Sequence, residues 1–152
     1  MPDEKLIAGV ALFEGLTPKE REPVFALCRA RECSAGETVL SEGNYGEEIY
    51  ILAKGKVRIE LTVTDAADFV TVEQIAEGQL FGELAIADRR NRSAIAQCET
   101  DCSLIAIRCK DLLSLLEAEH RIGFVVMRNL SRILATRLRK TNAKLISSVI
   151  KG

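Results

Sequence analysis

The chain has 152 residues, enough for one domain that buries its own core without disulfides or metals. Hydrophobic residues make up 47% and charged residues 28%, a globular composition rather than a disordered or fibrous one. A net charge of −1 argues against a dedicated nucleic-acid binder.

The charge is unevenly spread. From His120 onward there are eight Lys or Arg and no acid, a balance of +8, while the first 119 residues carry 13 basic and 22 acidic side chains, or −9. Five cysteines, at 28, 33, 98, 102 and 109, form no CxxC pair. An odd count without a secretory signal points to free thiols in a reducing, cytoplasmic compartment. Leu6–Phe13 is too short for a signal peptide, and no apolar run reaches transmembrane length, so no membrane anchor is expected.

In chain order, Leu6–Leu27 reads as two short helices broken at Gly15. Thr17, Pro18 and Glu20 form an N-cap, a first-turn proline and a capping-box acid. Phe13, Leu16, Val24 and Leu27 are the expected buried face. From about Arg31 to Arg108 short β-type runs recur: Thr38–Leu40, Glu48–Leu52, Lys56–Val63, Phe69–Ile75, Ala94–Cys98 and Ser103–Ile107. Turn signals such as Ala35-Gly36, Lys54-Gly55 and Glu77-Gly78 separate them, which argues for an antiparallel barrel or sandwich. Val57, Ile59, Leu61 and Val63 alternate with polar residues, so that strand is expected to bury one face. Asp111–Glu119 is a short helix with Leu112, Leu115 and Leu116 inward. From about Arg121 to Val149 an apolar stripe at three- and four-residue spacing predicts one long helix with basic flanks. The expected fold is mainly β with flanking helices: N-terminal helices over about 3–29, a jelly-roll-like antiparallel β-barrel over about 30–108, and C-terminal helices over about 109–150, all one domain.

The stretch with most chemistry is GQLFGELAIADRRNRSA, from Gly78 to Ala94. It reads as a strand end, a turn, one helical turn starting at Gly82, and a polar loop leading through Arg92 into the next strand. Gly82 admits close backbone approach, and free N–H groups at a helix start favour anions. The guanidinium of Arg92 can grip a phosphate in a two-pronged contact. Ionised Glu83 only accepts hydrogen bonds, which suits hydroxyl donors. A phosphate receptor beside a hydroxyl receptor describes a sugar phosphate.

This cassette, Phe81-Gly82-Glu83-Leu84-Ala85 with Arg92-Ser93-Ala94, resembles the phosphate-binding cassette of cyclic-nucleotide-binding domains. Phe13-Glu14-Gly15-Leu16, Gly36-Glu37-Thr38-Val39-Leu40, Ser41-Glu42-Gly43, Tyr50-Ile51-Leu52 and Lys54-Gly55-Lys56-Val57 also look like landmarks of that family, so the resemblance covers nearly the whole chain. It implies that Arg92 binds the exocyclic phosphate oxygens. The backbone near Glu83, Leu84 and Ala85, with Ser93 and Ala94, completes the cradle. Glu83 takes the ribose 2′-hydroxyl, and Ile59 and Val72 pack against the base. The last helix resembles the family's lid and dimer helix, with Thr141 of one subunit and Asn142 of the other meeting an adenine amine. Thr141 lies on the apolar stripe, where a buried hydroxyl needs a partner.

The resemblance therefore implies cyclic AMP as ligand, with cyclic GMP open because Ser93 could serve a guanine. It implies no catalytic residue, metal or other cofactor. It also implies a parallel homodimer through the last helix, since one small barrel cannot bury that stripe as far as Val149, and a possible effector protein as the downstream partner. Asn91 stands where the family usually has proline, and Ile95 where threonine is common. No DNA-reading element follows the long helix in these residues. Four alternatives stay open: a surface Arg92–Glu83 ion pair, a cysteine-based redox or metal sensor, a ligand-free scaffold, and the sensor part of a larger regulator.

Overall fold

The computed structural model describes residues 3–40, 48–62, 69–83 and 95–151. The chain opens with three short helical pieces rather than two: α1 (Glu4–Ala8), a 3-10 turn (Ala11–Phe13) and α2 (Pro18–Phe25). The Thr17 hydroxyl accepts from the Glu20 N–H, and the Glu20 carboxylate accepts from the Thr17 N–H, which completes the expected capping box. Phe13, Leu16 and Val24 are buried as expected, and Leu27 is partly buried.

Among the described residues eight strands follow: β1 (Arg29–Cys33), β2 (Thr38–Leu40), β3 (Glu48–Lys54), β4 (Val57–Thr62), β5 (Phe69–Ile75), β6 (Leu80–Phe81), β7 (Ile95–Cys98) and β8 (Cys102–Arg108). Their pairings among the described residues form two four-stranded antiparallel sheets, β1-β8-β3-β6 and β2-β7-β4-β5. β1 was not expected. Its sequence RAREC carries no apolar alternation, and it lies at a sheet edge, where Arg29 pairs with Glu48 and Glu32 accepts from the Ser103 hydroxyl.

Three layers result. Ile49, Ile51, Ile105 and Ile107 face the helices, together with Phe13, Leu112, Val126 and Leu130. Tyr50, Leu52, Leu104 and Ala106, on the opposite faces of the same strands, join Val57, Ile75 and Phe81 between the sheets. The central strands β3 and β8 are thus buried on both faces, which is why their sequences are continuous apolar runs. β4 departs from its expected alternation. Glu60, on the supposed wet face, is 8% exposed and carries an ion pair with the Arg58 guanidinium, which also donates to Gln97 Oε1 at 2.6 Å.

α3 (Cys109–Ala118) and α4 (His120–Lys151) complete the chain. Gly123 lets α4 lie against the end of α3, since a Cβ there would overlap the Leu116 carbonyl. Ile122, Val125, Val126 and Leu130 are buried, and Asn129 Nδ2 donates to the carbonyls of Leu12 and Glu14 at 2.8 Å each. Asn129 therefore ties α4 to the N-terminal segment. At 1.5 Å per residue α4 is about 48 Å long, and every residue from 138 to 150 is exposed. No helix of the described residues is long and apolar enough to cross a membrane.

Candidate functional site

The Gly78–Gln79 turn feeds β6, whose two residues pair with β3 as Leu80 with Ile51 and Phe81 with Tyr50. Gly82 then turns at φ 80°, a left-handed conformation that L side chains rarely adopt. That turn delivers Glu83 inward, where it is only 2% exposed. A carboxylate so deeply buried needs a charged partner.

Its partner comes from the long helix. Arg137 Nη1 forms an ion pair with Glu83 Oε1, and Nη2 donates to the Leu80 carbonyl at 2.6 Å. Nε lies 3.8 Å from Glu73 Oε1. Burial pushes the Arg137 guanidinium below its ordinary value, and the charge of Glu73 opposes that shift. One cation on α4 therefore holds the end of β6, the buried acid after it, and an acid on β5.

Ile59 packs on the inter-sheet core opposite Glu73 in the β4–β5 register. A bulge there leaves Val72 without a register partner (Ile59 pairs with Glu73, Glu60 with Thr71); its side chain lies outside the description. Leu84, Ala85, Arg92, Ser93 and Ala94 lie outside the described residues, as does the Ser41-Glu42-Gly43 landmark. Thr141, expected on a buried stripe, is exposed, as is Asn142. The body ends about one turn earlier, and α4 meets it at Arg137.

Arg137 and Glu73 were absent from the residues expected at the site. Arg137 had a signal: it lies seven residues after Leu130 and four after Ile133, so it continues the body-facing stripe of α4 with a charge in place of an apolar residue. A cation on an inward stripe implies a buried acceptor.

The five cysteines are buried and none forms a disulfide. Burial pushes the thiol of Cys28 up to about 11 and that of Cys98 up to about 12, which disfavours the thiolate that redox and metal chemistry require. No cluster of three or more His, Cys, Asp or Glu among the described residues could hold a metal ion.

A buried acceptor just after a left-handed glycine, held by a helix that leaves the body, is the setting in which the comparisons with known proteins fall. A family model described as a cyclic nucleotide-binding domain matches residues 30–119. The chain belongs to the cyclic-nucleotide-binding domain family. It is 33% identical over 137 residues to the cyclic AMP receptor protein of Thermus thermophilus, covering 90% of this chain and 61% of that protein. The crystal structure of the Thermus thermophilus catabolite activator protein superposes with a TM-score of 0.76 at 32% identity, over 89% of this chain and 61% of that one. A cyclic nucleotide-binding domain from Methylobacillus flagellatus shares the fold, with a TM-score of 0.83 at 18% identity over 95% of this chain and 80% of that one. The chain thus spans less than two thirds of the two Thermus proteins.

Proposed function

We propose that this domain is a non-catalytic, cytoplasmic cyclic-nucleotide sensor, with cyclic AMP preferred over cyclic GMP. Arg92 grips the exocyclic phosphate, and Gly82, Leu84, Ala85, Ser93 and Ala94 frame it with backbone donors. Glu83 accepts from the ribose 2′-hydroxyl, and Ile59 and Val72 flank the base. Thr141 of one copy and Asn142 of a second meet the adenine amine across a parallel α4–α4 dimer.

The observation that carries the reading is Glu83, buried at 2% exposure and held by Arg137 of α4. A ribose hydroxyl arriving at Glu83 changes the contacts available to Arg137. The ligand then has different affinities for different helix positions, which any switch requires. The uncovered second half of α4 supports the dimer: Leu138, Leu145 and Val149 are 61%, 63% and 72% exposed, and a parallel partner would bury them together with Thr141. The longer Thermus relatives favour a second reading in which these residues are the sensor part of a larger regulator; the length of the native reading frame decides it.

The test is thermal unfolding with and without cyclic AMP and cyclic GMP, alongside Arg92→Ala. A ligand at about 100 times its dissociation constant stabilises by about 2.7 kcal/mol. For a chain of this size that is a rise of roughly 5–10 °C. A rise that Arg92→Ala abolishes supports the site, and the larger response identifies the base. No rise at millimolar nucleotide overturns the reading.

A further inference from the structure

A cavity of about 400 Å3 opens where α4 passes the segment just after α1 and the β5–β6 turn. Residues 9–11 and 78–80 form its body side, and Arg132, Ile133, Thr136, Arg137 and Lys140 form its helix side. Glu83 is not among its lining residues, but Arg137, its ion-pair partner, is. The volume lies in the range of small-molecule sites, where an apolar floor and a few convergent polar groups are the usual pattern.

The floor is apolar, with Val10 and Leu80 buried and Ile133 packed against the core. The polar rim is left with donors. Gln79 Oε1 is engaged by the Ala76 N–H, and its amide nitrogen adds two N–H donors. Thr136 Oγ1 accepts from Arg139, which leaves its O–H proton to donate. Arg132 and Lys140 have no ion-pair partner among the described residues. The one acid of the lining, Glu73, faces Arg137 at 3.8 Å. Arg132 and Lys140 stand eight residues apart, about 12 Å along the helix, at either end of the cavity wall. A rim of cations and neutral donors over an apolar floor suits neither a cation nor a neutral hydrocarbon.

We propose that this cavity binds an organic anion, a phosphate or carboxylate head on a compact apolar body. The occupant bridges the body and α4, and the shared Arg137 links its binding reciprocally to events at Glu83. The proposal does not rest on the cyclic-nucleotide reading, because none of its donors belongs to the cassette.

The experiment titrates phenyl phosphate and benzoate into the nitrogen-labelled full chain, with phenol and inorganic phosphate as controls. The expected result is saturable shifts of the Gly9, Gly78 and Thr136 amide signals with one or both organic anions, weaker with either control; the stronger of the two names the head group. Arg132→Gln/Lys140→Gln, two exposed positions, lowers that affinity by roughly tenfold or more, while Arg92→Ala leaves it unchanged. Absence of shifts at these amides, unchanged affinity in the double variant, equal binding of phenol, or equal binding of inorganic phosphate each overturns the proposal. Loss of nucleotide binding in Arg92→Ala with phenyl phosphate binding retained separates the two sites.

Discussion

Arg137→Ala strips a carboxylate at 2% exposure of its guanidinium partner and releases the Leu80 carbonyl. Removing one member of a fully buried pair costs about 3–5 kcal/mol, because the remaining charge stays desolvated. Here the Arg137 side chain is 27% exposed, so solvent already screens part of the attraction and the lower end applies. Adding the freed carbonyl and allowing for entry of water into the vacated space, the expected loss is about 3 kcal/mol. At roughly 2–4 °C per kcal/mol for a chain of this size, the melting temperature of the unliganded protein falls by roughly 6–12 °C. Calorimetry of wild type, Arg137→Ala, Glu83→Gln and the double variant measures it. Glu83→Gln removes the stranded charge, so the double variant is expected to be more stable than Arg137→Ala alone, a coupling of about 1–2 kcal/mol. A loss below about 0.5 kcal/mol for Arg137→Ala, the range of ordinary surface changes, refutes the pair as the link between α4 and the site. So does a double variant no more stable than the single.

Asn129→Ala removes the two hydrogen bonds to Leu12 and Glu14 and leaves the buried Leu12 carbonyl without its Asn129 donor, an expected loss of about 2 kcal/mol in urea unfolding; an unchanged midpoint removes Asn129 from the N-terminal anchor. The raised thiols predict alkaline sensitivity. Folded values of about 11 for Cys28 and 12 for Cys98 lie above the ordinary 9.0, so their contribution is complete below 9.0 and is lost as pH rises through 11 and 12. Urea midpoints should fall with pH across that window, and less steeply in Cys98→Ala. Leu138→Lys/Leu145→Lys places charge on the exposed stripe of α4 and is expected to turn a dimer into a monomer in sedimentation; a wild-type chain that is already monomeric refutes the helix pairing.

Several features were legible from local sequence. The Thr17–Glu20 capping box, the turn at Gly78, and the apolar runs of β3 and β8 each depend on neighbours a few residues away, and sequence alone carries such rules. The length of α4 follows in the same way from an unbroken periodic stripe without internal proline. β1 escaped because an edge strand paired through charged side chains has no apolar alternation, whereas β6 is the strand end read just ahead of Gly82. Glu60 read as a wet-face residue because alternation says nothing about what a side chain pairs with.

The cassette motif pointed to Glu83 as an acceptor, but its partner was another matter. α4 carries eight cations, and although periodicity puts Arg137 on the inward stripe, whether it meets Glu83 depends on the phase and height at which the helix crosses the body. That crossing is set by packing of Ile122, Val126 and Leu130, by the Gly123 contact with α3 and by the Asn129 bonds, all between residues far apart in the chain. The sequence by itself determined most of the elements, the family resemblance and Glu83 as the candidate acceptor. Only the tertiary structure decided that Arg137 reaches it and that Thr141 stands clear of the body, because long-range packing, not local propensity, sets where a helix stops touching its domain.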